Sequence, residues 1–209
     1  MKRRDVVKVL LASAGAVPLA LAAATGSAPG SAAGKCDGDG TPAQFVPKNA
    51  PDGKPQENDL SKFPRCPYCG MDRKQLHHSR LLIHYANGVP DGVCSLHCAA
   101  ISLSINIDAE PKSVWVGDNA SEAETKPLVE ADKASFLIGG SAPGVMSARS
   151  KVAYGSEAAA KAAQAAQGGE IGGFEQALLA AYTDMSKDVA RIRKNREERR
   201  SRMKAGPKG

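Results

Sequence analysis

Runs of apolar residues at two periods organise the middle of this 209-residue chain. Ser79 to Tyr85, with the apolar run Leu81-Leu82-Ile83 at its centre, reads as a strand followed by a tight turn at Asn87-Gly88. Beyond Asp91-Gly92-Val93, the residues Leu96, Ala99, Ala100 and Leu103 recur at helical spacing, so a helix is expected from the Cys94–Cys98 segment to about Ser104. Ser113 to Gly117, around the only tryptophan, reads as a strand. A second unit follows, with strands expected at Leu128–Ala131, Ala134–Ile138 and Val152–Tyr154. Between the last two, residues 139–144 read as a glycine-rich loop that carries Val145 and Met146. Ser156 is placed to cap a helix over Glu157–Gln167, which Gly168-Gly169 would end. A further helix should open at Phe174 and run towards the C-terminus. The pattern is mixed, and the expected class is α+β.

The first 33 residues have a different character. Lys2, Arg3, Arg4 and Lys8 precede an alanine-rich apolar stretch, Val9 to Ala24, interrupted by Pro18. Small residues follow, with Ala22-Ala23-Ala24 and Ser31-Ala32-Ala33 as candidate cleavage sites. This is the layout of an export signal, too short to favour a permanent membrane span. Arg3-Arg4 points to the twin-arginine route, and the expected location is the periplasm or beyond. Cys36 follows Lys35, not the small residue that a lipidated cysteine requires, which argues against a lipid anchor. Residues 34–62 are rich in Gly, Pro and Asp without periodicity and read as a flexible linker. The expected metal-binding domain spans 63–186, and 187–209 is expected to be a polar tail.

The net charge of +6 is unevenly spread. Residues 187–209 hold ten Lys/Arg against three Asp/Glu, whereas residues 25–186 hold 14 against 18. A mildly acidic body with basic ends argues against nucleic acid as a partner. The basic tail reads as a solvated helix or arm, with docking to an anionic membrane surface or an acidic partner as the sharper reading.

Four of the five cysteines fall within 33 residues, as Cys66-x2-Cys69, a gap of 24 residues, then Cys94-x3-Cys98. An odd total with tight clustering does not read as a disulfide framework. Pro67 and Gly70 favour a knuckle at the first pair. Cys94 and Cys98, four apart, share a face if helical, and a helix start favours thiolate there. Two close thiol pairs can converge on one ion. Four thiolates suit structural Zn2+; thiolates joined by a thioether suit Cu(I). Met71 is two residues beyond Cys69 and could face the same ion, although a methionine there equally suits core packing. His84 and His97 are secondary candidate ligands. No histidine has an acid–base partner identifiable from spacing, so no catalytic residue is assigned. Thiol–disulfide exchange at Cys66–Cys69 is the weaker alternative, because no βαβ context surrounds the motif.

Cys66-Pro67-Tyr68-Cys69-Gly70-Met71 resembles the Cys-x-Met motif near the start of the mature NosL domain. Other features are similar in order: Asp91-Gly92 before Cys94-Ser95-Leu96-His97-Cys98, then Trp115-Val116-x-Asp118, Ala134–Ile138, Pro143-Gly144-Val145-Met146, and Ala153-Tyr154-Gly155 before a helix. The resemblance covers roughly residues 63–180. The first half is also similar to TRASH and YHS modules, which begin with Cys-Gly-Met and carry a late Cys-Ser-x-x-Cys. Resemblance to NosL implies two small ββαβ-like lobes and Cu(I) binding in the service of copper-site assembly in nitrous oxide reductase, with that enzyme or its assembly factors as the receiving partner. It places Cys69 and Met71 on the copper motif and Met146 on a second-lobe loop methionine. The chain departs from the family in lacking the usual lipoprotein cysteine, in its extra thiols Cys66, Cys94 and Cys98, and in its basic tail. The extra thiols leave a second ion or a zinc site open.

Overall fold

A computed structural model describes residues 49–204, apart from Asp108, together with Gly206. The expected export signal, Cys36 and most of the expected linker lie outside these residues. The apolar run forms β1 (Leu81–Tyr85), buried at all five positions. Burial on both faces explains why the run is continuous rather than alternating. β1 is central in an antiparallel sheet of order β2-β1-β3-β4, with β2 at Pro90–Val93, β3 at Pro111–Gly117 and β4 at Leu128–Glu130. The α2 helix (Leu96–Ile105) covers this sheet, its first half buried almost all round. A second antiparallel sheet, of order β6-β5-β7, is built from β5 (Ser135–Pro143), β6 (Arg149–Tyr154) and β7 (Glu170–Gly172). The α3 helix (Glu157–Gln167) packs on it. Ser156 Oγ accepts the Ala159 N–H at 3.3 Å, and Gly168 at φ +74° ends the helix.

The α+β class holds, with one addition to the expected lobes. The second lobe runs ββαβ, whereas the first ends with an extra edge strand, β4. Both lobes share one core, in which Phe136 and Ala153 of the second sheet pack with Leu81, Ile83, Val116 and the cysteines of the first.

Two domain boundaries differ from expectation. The ordered unit begins before Phe63, with a short helix α1 (Asp59–Lys62) whose Asp59 is buried. A guanidinium reached only through the fold draws that carboxylate inside. Fully buried Arg73 donates to Asp59 Oδ2 at 2.9 Å and Arg80 Nε donates to it at 3.0 Å. At the other end, α4 runs unbroken from Phe174 to Lys204, packed against α2 and β5. Asp188, inside the expected tail, is only 2% exposed. Arg, Lys and Glu are good helix formers even without an apolar stripe, so the charged composition extends the helix instead of ending it.

Candidate metal centre

The first cysteine pair sits on a closed knuckle. Cys66 N–H donates to Met71 O at 2.9 Å, and Gly70 N–H donates back to Cys66 O at 2.8 Å. Gly70 adopts φ +76°, a left-handed conformation that glycine reaches without steric cost. The second pair spans the junction of β2 and α2, with Cys94 just past the strand and Cys98 in the first helical turn. The four sulfurs all lie within 4.8 Å of one another. The Cys69–Cys94 separation is 3.4 Å and Cys94–Cys98 is 3.7 Å. Cys66, Cys94 and Cys98 are buried, and Cys69 alone is partly exposed.

Hydrogen bonding among the thiols divides their acidities. Bonds from the other sulfurs, Cys69 foremost, hold Cys66 far below the usual thiol range. The same sharing, led by Cys66, pushes Cys94 and Cys98 above it. The bond with Cys66 raises Cys69, but bonds from Cys94 and Cys98 outweigh it and leave Cys69 below its ordinary value, so the two knuckle thiols are readier than the helix pair to meet a cation as thiolates.

A polar frame, which spacing did not reveal, fixes the two halves of the pocket. Arg73 donates to Phe63 O at 2.6 Å and to Val93 O at 3.2 Å, and so braces the backbone ahead of both cysteine pairs. Gly92 makes room for it, because a Cβ there would lie 2.8 Å from the guanidinium. Tyr68, between Cys66 and Cys69, donates to Asp91 Oδ2 at 2.5 Å, and Ser102 of α2 donates to the same oxygen at 2.5 Å. Burial raises the pKa of Asp91. These residues are charged or hydroxylic, and their partners are far away in the chain. No local signal marks them: Arg73 stands in the polar stretch Asp72-Arg73-Lys74-Gln75, and Asp91 lies between Pro90 and Gly92 where a turn is the ordinary reading.

Met71, 40% exposed, and Met146, half-buried, line a common cleft of about 520 Å³ with Cys69. Met146 holds φ +59°, a conformation that costs a non-glycine residue on the order of 1 kcal/mol or more. Neither candidate histidine joins the sulfurs. Among the described residues, the group of His, Cys, Asp and Glu donors able to share one ion consists of the four cysteines. His84 lies within β1 and stacks on Trp115 at 6.4 Å. His97 points to α4, its Nδ1 3.7 Å from Asp188 Oδ2, and burial lowers its pKa.

Four thiols closing on one point, with two thioethers at the mouth, define a small α+β protein built around a sulfur pocket able to hold a metal ion. The chain belongs to the NosL family, whose sequence model matches residues 57–180. Among solved structures it is similar to the copper chaperone NosL from Shewanella denitrificans, at 21% identity and a TM-score of 0.46, over 53% of this chain and 87% of that one. It is also similar to the apo-NosL protein from Achromobacter cycloclastes, at 22% identity and a TM-score of 0.34, over 46% and 82% of the respective chains. No curated protein matches the chain.

Proposed function

We propose that this chain is an exported copper chaperone, without catalytic activity of its own, that carries Cu(I) to a copper-receiving exported protein. The observation that carries this reading is the asymmetry of the sulfur pocket: three thiols are buried, while Cys69 opens towards a cleft shared with Met71 and Met146. The cysteine sulfurs would hold the ion as thiolates. The thioethers would take part on the cleft side, where cargo enters and leaves. Soft thioether donors favour Cu(I) over zinc. NosL membership supports the same cargo and points to nitrous oxide reductase, or a factor that assembles it, as recipient. The basic, apolar and small-residue segments of residues 1–33 support export by the twin-arginine route.

A second reading is favoured by the same four thiols. A closed, largely buried set of four cysteines is the donor set of structural zinc, and such an ion would hold the knuckle to α2. Exchangeability separates the two. The full chain, purified anaerobically with Cu(I) and Zn2+ both supplied, is assayed for bound metal and then challenged with a Cu(I) chelator while its fold is followed by circular dichroism. Release of one Cu(I) with the fold intact supports the carrier. Retained zinc whose removal unfolds the chain supports the structural site.

A further inference from the structure

The cleft beside Cys69 has a wall that metal binding alone does not require. Opposite Gly70, Met71, Gly144 and Met146 stand Ile192, Asn195, Arg196 and Arg199 of α4. Positions 192, 195, 196 and 199 follow the spacing of a single helical face. This face lies beyond residue 180, where the NosL match ends. Arg191 also lines the cleft, 3.5 Å from Asp188. Arg196 and Arg199 are exposed and make no ion pair among the described residues. Unpaired guanidiniums lining a concave space around soft donors call for an occupant that combines negative charge with a ligand for the same metal.

We propose that this cleft is the docking seat for an acidic segment of the protein that exchanges copper with this chain, its carboxylates held by Arg196 and Arg199 while its own sulfur donor reaches the ion at Cys69. This rests on the copper-carrier reading. Guanidinium forks suit carboxylates because they can bond in pairs. A volume of about 520 Å³ admits a few side chains of a peptide, whereas a flat lipid surface cannot enter a concave cleft. Transfer is a ligand exchange in which copper remains Cu(I) and no electron moves. The incoming thiol gives up its proton and forms a copper–sulfur bond, and the bond to Cys69 breaks as Cys69 takes a proton.

The test uses short peptides with two cysteines among glutamates, a sibling with glutamines in place of the glutamates, and fluorescent serine versions of both. Binding of the serine versions to the metal-free full chain is read by anisotropy, at low and high salt. The acidic peptide should bind about tenfold more tightly than its neutral sibling at low salt, and the preference should vanish in R196Q/R199Q. That double variant should keep its Cu(I) affinity yet load the acidic cysteine peptide about tenfold more slowly. Equal binding of the two peptides to the unsubstituted chain overturns the proposal. So does a loss of Cu(I) affinity in R196Q/R199Q, which would assign the arginines to the pocket itself. So does dependence on Arg196 and Arg199 for phosphatidylserine vesicles but not for the peptide. If the chain binds no Cu(I) yet keeps the peptide preference, the carrier reading falls and the acidic docking seat stands.

Discussion

Asp188 Oδ1 accepts the backbone N–H of Ala148 at 2.9 Å, so a helix residue far along the chain anchors the loop that carries Met146. The bond is partly buried, so removing its acceptor costs about 1 kcal/mol. Asp188→Ala should lower the melting temperature and speed hydrogen exchange at Ala148, and Asp188→Asn, which keeps an oxygen, should do less of both. Unchanged protection at Ala148 in Asp188→Ala would show that the loop holds its shape without the helix.

At the pocket, Cys69→Ser should weaken Cu(I) binding more than Met71→Leu. A thiolate brings charge to the cation and a thioether does not, and Cys69 lies 3.4 Å from Cys94 inside the cluster. Anaerobic chelator competition measures both. Equal affinity in Cys69→Ser and the unsubstituted chain would remove Cys69 from the ligand set.

The thiol group was legible in advance because close pairs on a knuckle and at a helix start are local patterns. So were β1, through its apolar run, and α3, through Ser156 and Gly168. β2 was not, because Pro90-Asp91-Gly92-Val93 has no alternation and a proline. β7 is three residues long, too short to show a period. Gly139-Gly140 read as a loop, yet both lie within β5, at φ +85° and +83°, where its register to β6 shifts. The histidines were misplaced for a different reason. Spacing puts His97 near Cys94 and Cys98, but only the direction of the α2 face decides that it meets Asp188.

The buried triangle of Asp59, Arg73 and Arg80 carries a larger stability effect. Asp59→Ala strands two guanidiniums that are almost wholly buried. Breaking such a group on one side costs about 3–5 kcal/mol, so urea denaturation should show a midpoint far below that of the unsubstituted chain. An Asp59→Ala chain of nearly normal stability would mean that the arginines find other partners.

Acid should loosen the contact between β6 and α4. Burial raises the pKa of Asp184, but bonds from Lys151 at 2.8 Å and Arg149 at 2.9 Å outweigh it and leave the carboxyl below its ordinary value of 3.8. An acid whose pKa falls on folding stabilises the native state above its unfolded value, and that contribution is lost as pH drops through the folded one. The pair is partly exposed, so its worth is about 1 kcal/mol or less. Asp184→Asn should be less stable than the parent at neutral pH, and the gap should close below about pH 4. A gap that stays constant from neutral to acid pH would sink this assignment.

Because α4 is a single uninterrupted helix, Asp188 and Arg199 are geared together like marks on one shaft. Their eleven-residue separation is close to three full turns, so the face that is clamped on the loop of Met146 is also the face turned towards the sulfur mouth. Apart from Arg191, Ile192, Asn195 and Arg196, which line the cleft themselves, the stretch between them can therefore change its letters but not its length. One residue added there would swing Arg199 by about 100° away from the cleft, while seven would restore its bearing to within about 20° and carry it about 10 Å past the sulfurs. The distance between clamp and cleft is thus written into the chain as a count of residues.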